Sequence, residues 1–160
     1  MSTDFLQERI EMERLLLVPI SMEYRDEIFK EFSAEITVYM YPAPAKDISE
    51  TEEWINFSLN GLREKSNLQL VILEKDSGEF LGCAGLHNVH TSTPEMGIWL
   101  KKTAHGKGYG REAVTGVKKW ADENIHYDYI IYPVADKNIS SRKIPESLGG
   151  KIAMSMIKMD

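Results

Sequence analysis

Residues His105-Gly106-Lys107-Gly108-Tyr109-Gly110 place a glycine at every second position, between a strand-like Met96-Gly97-Ile98-Trp99-Leu100 and a helix-like run opening Arg111-Glu112-Ala113. Glycine lacks a Cβ, so such a turn can use φ values closed to other residues and bring backbone N–H groups close to an anion. The positive dipole end of the following helix favours a phosphate in that position. The run is not a P-loop, because Tyr109 follows Gly108 and no Lys-Ser or Lys-Thr pair is present. Nor does it have the GxGxxG spacing of a dinucleotide fold. Taken alone, it fits an anion cradle and a tight strand-to-helix turn equally well.

Other reactive side chains are scattered. His87 and His90 stand three residues apart at a strand end and lack a third ligand, so no metal is expected. Cys83 is the one cysteine, which excludes an internal disulfide and fits a reducing cytoplasm. No His or Asn constellation accompanies it, and it reads as a small buried strand residue. Tyr39, Tyr41 and Trp54 read as core or lid packing, and Lys101, Lys102 and Arg142 as solvated cations within reach of a phosphate.

Elements able to position the glycine loop follow from periodicity. Arg14–Pro19 reads as a first strand, and Ser21 caps an amphipathic helix through Phe32. Ala34–Lys46 reads as a loop broken at Tyr41-Pro42-Ala43-Pro44. Ser49 and Glu52 have the spacing of a capping box ahead of a helix ending near Lys65, with Trp54, Ile55, Leu59 and Leu62 inward. Three antiparallel strands follow, Asn67–Glu74, Phe80–Val89 and Glu95–Leu100, joined by turns at Asp76–Glu79 and Thr91–Pro94. Tyr109 to about Asn124 is helical. A strand over Tyr127–Val134, a helix over Asn138–Leu148 and a strand over Lys151–Lys158 come last. Strand, helix, strand after the loop implies a crossover and a locally parallel pair. The expected fold is α+β in one domain over residues 1–160, a mixed, mostly antiparallel sheet of about six strands flanked by about four helices.

With 160 residues, 42% hydrophobic and 28% charged, the chain matches one soluble globular domain. Its net charge of −6 disfavours duplex nucleic acid and suits a cationic acceptor or plain solubility. The N-terminal residues carry acids and no long apolar run, so a cytoplasmic protein without a membrane span is expected.

In this context the glycine run resembles the Gln/Arg-x-x-Gly-x-Gly/Ala signature of the GNAT N-acetyltransferases, with His105 in the Gln/Arg place and Glu112-Ala113 after it. Asn138, Ser141, Ile144, Glu146 and Gly149 resemble the Asn-x-x-Ser-x-x-hydrophobic-x-Glu-x-x-Gly block of the RimJ/RimL-like group within that superfamily. The segment from Tyr41-Pro42 to Glu53-Trp54-Ile55 is a third, weaker match. The resemblance runs from Arg14 to Gly150 in the family's order.

What the resemblance implies is a GNAT-like fold and acetyl transfer from acetyl-CoA to a primary amine, on a protein N-terminus or a small molecule, without a covalent intermediate. A monomer or homodimer would do this, with no nucleic acid or membrane partner. Backbone N–H groups of Lys107, Gly108 and Gly110 would hold the pyrophosphate, with His105, Gly106 and Tyr109 in the same loop. The edge of Ile98-Trp99-Leu100 would pair with the pantetheine arm, and Asn138, Ser141 and Arg142 would contact the donor downstream. Glu95 matches the family's general base and Ser141 would hydrogen-bond the thioester sulfur.

The sequence departs from the family at His105, at Pro145, where a Tyr acid often stands, and at Gly149-Gly150. The family's last strand is not found before Asp160. These departures keep a non-catalytic CoA-binding module of the same fold open as the alternative.

Overall fold

The computed structural model describes residues 4–33 and 44–132. Five strands are found in that part: β1 (Ile10–Glu11), β2 (Leu15–Pro19), β3 (Asn67–Glu74), β4 (Phe80–His87) and β5 (Glu95–Leu100). They form one antiparallel sheet in sequence order. Three α-helices accompany them, α1 (Arg25–Glu31), α2 (Ile48–Glu64) and α3 (Tyr109–Asn124). The α+β architecture agrees with expectation, whereas the strand and helix counts are lower among the described residues. The expected elements over Asn138–Leu148 and Lys151–Lys158 lie outside the described residues.

The central strands are apolar on both faces, and the sheet buries nearly all of them. Leu68, Leu70, Val71 and Ile72 in β3 are at most 0% exposed, and Leu81, Cys83, Ala84 and Leu86 in β4 are similarly closed. Opposed residues of antiparallel strands share a face. The register Gln69↔Gly85↔Gly97 therefore sets one face, together with His87↔Glu95 and Val71↔Cys83↔Trp99. Near the far end of β4 the register slips between Ile72 and Leu73. A Cβ on Gly82 would come 2.1 Å from the Trp99 carbonyl oxygen, so only glycine allows β4 and β5 to approach there.

Helices α1 and α2 pack on one another, and Arg25 Nη1 meets Glu52 Oε2 at 2.7 Å across that contact. This pairing corrects the expected capping box. The N-cap is Asp47, whose carboxylate accepts from the Ser49 and Glu50 N–H groups, and α2 starts at Ile48. Glu50 reaches back past the cap to the Lys46 N–H at 2.8 Å, so the helix start lies two residues earlier than Ser49 and is tied on both sides of Asp47. Ile55 and Leu62 are buried as expected and Leu59 packs against the core, but Trp54 is 37% exposed. Thr51, Ser58 and Gly61 fill the inner face instead, small residues that let α2 lie close to β3.

The first expected helix is split into a 3-10 turn at Met22–Tyr24, capped by Ser21, and α1 proper. After α3 the chain returns beside β5. The Ile131 N–H donates to the Pro94 carbonyl at 2.9 Å, the Met96 N–H to the Ile131 carbonyl at 2.8 Å, and Glu95 and Ile131 form a parallel bridge. Among the described residues this is a single bridge rather than the strand expected over Tyr127–Val134. The crossover expected from the strand, helix, strand after the loop ends in Lys151–Lys158, outside the described residues.

Candidate functional site

β5 ends at Leu100, and a 3-10 turn at Lys102–Ala104 carries the chain to His105. The His105 Nε2–H donates to the Leu100 carbonyl at 2.8 Å, a tautomer fixed by the partner because a carbonyl only accepts. One imidazole thus ties the end of the strand to the start of the glycine run. It also takes one lone pair of a carbonyl expected to face the pantetheine arm.

Gly106 and Gly108 adopt φ of +76° and +80°, conformations that side chains rarely enter. A Cβ on Gly106 would meet no atom within 4 Å, so the space beside it is open. α3 then starts on Gly108, which supplies no side-chain cap. The first N–H groups of a helix lack partners inside the helix, and among the described residues no side chain takes the place here that Asp47 fills at α2. A turn selected only for tightness has no need of an uncapped, open helix start.

The loop is held from behind by Arg14, the residue that opens the first expected strand. Its Nη1 donates to the Lys107 carbonyl at 2.9 Å, its Nε to Glu112 Oε1 at 2.7 Å, and its backbone N–H to Glu112 Oε2 at 2.8 Å. The guanidinium also lies 4.6 Å above the centre of the Tyr109 ring. The Lys107–Gly108 peptide is trans, so turning its carbonyl toward Arg14 turns the Gly108 N–H the opposite way. Tyr109 is anchored in turn by its hydroxyl, which donates to Glu74 Oε2 at 3.3 Å, and its phenol is raised by burial and by that carboxylate.

Glu95 is half-buried at the other end of β5, directly opposite His87 in the register. Five residue steps separate it from Leu100, roughly 16 Å at about 3.3 Å per residue. A ligand anchored at the loop and reacting beside Glu95 must therefore be long, extended along β5 and anionic at one end. Burial pulls the His87 imidazole below the ordinary histidine value, and the Glu95 carboxylate partly opposes that.

The remaining expected site residues divide. Ile98 and Leu100 are half-buried, while the Trp99 side chain belongs to the core, packed on Phe32 and Phe80 with ring centres 4.9 and 5.9 Å away. Only its backbone remains for a ligand. Lys101 is tied to Glu79 at 2.8 Å, which holds that carboxylate below its usual range. Asn138, Ser141 and Arg142 lie outside the described residues. A groove of about 840 Å³ runs between residues 8–13 and α3; it includes Gly108 and Arg111 but not Glu95 or Leu100, so it is not the path along β5.

Residues 14–151 match the family model described as an acetyltransferase (GNAT) domain. The N-acetyltransferase p20 of Bacillus licheniformis, itself uncharacterized, is 26% identical over 144 residues, 88% of this chain and 81% of that protein. Among solved structures, an acetyltransferase from Agrobacterium tumefaciens superposes with a TM-score of 0.81 at 22% identity, covering 96% of this chain and 89% of that one. Spermidine N-acetyltransferase from Vibrio cholerae, solved in complex with CoA and spermine, has a TM-score of 0.72 at 19% identity, covering 85% and 80%.

Proposed function

This chain belongs to the GNAT acetyltransferase family, and on that premise we propose that it transfers an acetyl group from acetyl-CoA directly to a primary amine, of a protein N-terminus or a small molecule. The observation that carries this reading is the uncapped start of α3 with its two positive-φ glycines, set at one end of a strand whose other end bears a carboxylate. The loop residues suit a pyrophosphate, since Gly106 leaves open space where a side chain would stand.

In this scheme the N–H groups of Lys107, Gly108 and Gly110 receive the diphosphate, with Arg14 and His105 keeping the loop in shape. β5 guides the arm toward Glu95. An alkyl ammonium has a pKa of about 10.4 and cannot attack while protonated. Glu95 draws off that proton, directly or through a carrier. The amine nitrogen then bonds to the acetyl carbon, the carbon–sulfur bond breaks, and the thiolate leaves and is reprotonated. By resemblance Ser141 is the hydrogen-bond donor to that sulfur. The spermine complex of the V. cholerae relative supports an amine acceptor.

The test joins binding to turnover. Acetyl-CoA in large excess should raise the melting temperature, since a ligand at 100 times its Kd adds about 2.7 kcal/mol. A panel of polyamines and peptide N-termini should then release CoA thiol. No stabilisation overturns the reading altogether, and stabilisation without transfer to any amine leaves the CoA-binding module in its place.

A further inference from the structure

His87 closes β4, and the register places it across from Glu95. One step inward on the same face stand Gly85 and Gly97, also directly opposed, so that stretch of sheet carries no side chains. The imidazole lies over it: Nε2 is 3.2 Å from where a Cβ on Gly85 would be and 3.7 Å from the same point on Gly97. The Gln69 carboxamide borders the strip, with its oxygen 3.0 Å from the Gly85 position and its Nε2 donating to the Ala84 carbonyl at 3.3 Å. The His87 ring makes no hydrogen bond to any described residue, whereas the Nε2 of His105 is satisfied. The imidazole thus faces the Gly97 position, where no other atom comes within 4 Å, beside a carboxylate that would attract a cation.

We propose that His87 is the carrier between acceptor and Glu95: its Nε2 takes the proton from the acceptor ammonium lying over Gly97, and Glu95 holds the imidazolium that forms. This deepens the acetyl-transfer reading and rests on it. The ammonium N–H bond breaks, an N–H bond forms on the imidazole, and the freed lone pair of the amine makes the new C–N bond while the C–S bond breaks. The imidazolium afterwards passes its proton by way of Glu95 to solvent. Burial keeps the imidazole neutral and able to accept near pH 7, and Glu95 on β5 is the charged group acting on it; Asn67 and Gln69 on neighbouring β3 are neutral. Glycine at 85 lets the imidazole and the Gln69 carboxamide lie against the sheet, glycine at 97 supplies the room for the acceptor, and the carboxylate supplies the attraction for a cation.

The experiment uses the full chain with an amine that the wild type acetylates. His87→Gln should lower kcat/KM by about a hundredfold, a typical contribution of general base catalysis, and flatten the acid limb of its pH profile. The melting-temperature rise given by acetyl-CoA should stay at the wild-type size. In His87→Ala, added imidazole should restore part of the rate, which a purely structural role would not allow. The NMR titration of the imidazole should move to lower pH in Glu95→Gln than in the wild type. Wild-type kcat/KM and pH profile in His87→Gln, no imidazole rescue, or a titration unmoved by Glu95→Gln would overturn the proposal and leave acetyl transfer standing. A wild type that binds acetyl-CoA and acetylates nothing would remove both.

Discussion

Arg14 and Glu112 are 98 positions apart and neither is unusual in its local sequence. Their pairing could not be read from spacing, and the only visible trace was an acid in the first turn after the glycine run. The loop glycines were legible because their chemistry is local: a side chain at φ near +76° costs about 1–2 kcal/mol whatever surrounds it. Gly106→Ala should therefore lower the melting temperature and weaken acetyl-CoA binding together, measurable by thermal shift and calorimetry. Arg14→Ala releases the Lys107 carbonyl and should raise the acetyl-CoA Kd roughly tenfold, about the effect of one hydrogen bond on binding. An unchanged Kd would mean that the loop keeps its shape without the guanidinium. Glu95→Gln acts at the other end of β5. It should cut kcat by about a hundredfold with little change in acetyl-CoA affinity, read by steady-state kinetics beside calorimetry.

At the scale of elements, β3, β5 and α3 fall on the residues that periodicity marked, because each is a long apolar pattern with a clear break at both ends. The start of α2 was misplaced. Ser49 and Glu52 have capping-box spacing, but Asp47 is the stronger acceptor, and its carboxylate takes the N–H groups first. Glu52 is then free to bind Arg25, a tertiary contact that local sequence does not reveal. Asp47→Ala should lower the melting temperature by a few degrees. The Ser49 hydroxyl, then the Glu50 and Ser49 N–H groups, hold the Asp47 carboxyl below its usual range. Its folded value thus lies below the unfolded one, so its contribution is complete above the unfolded value of about 3.9 and is lost as pH falls through the lowered folded value. Acid unfolding followed by circular dichroism should show less pH dependence in that region for the Ala variant.

For the molecule as a whole, the sheet of the described residues is one continuous antiparallel run from β1 to β5, where Ile131 comes alongside in parallel. Periodicity marked a strand near Ile131, but its partner could not be read because pairing depends on where the neighbouring strands part. The close approach of β4 and β5 at Gly82 joins the core to the glycine loop, since Leu100 is its register partner. Gly82→Ala would force a methyl group into the Trp99 carbonyl, at a cost of about 1–3 kcal/mol as overpacking. A melting curve that stays in place would show that the strands can part there without loss.

Cys83 sits at the middle of that sheet, 1% exposed, with its thiol pushed far above the usual range by burial. It is the one cysteine of the chain. A thiol reagent such as Ellman's reagent should thus leave the folded protein untouched, so colour developed during turnover counts released CoA alone. The same reagent, followed over hours without substrate, becomes a clock for how often the sheet opens.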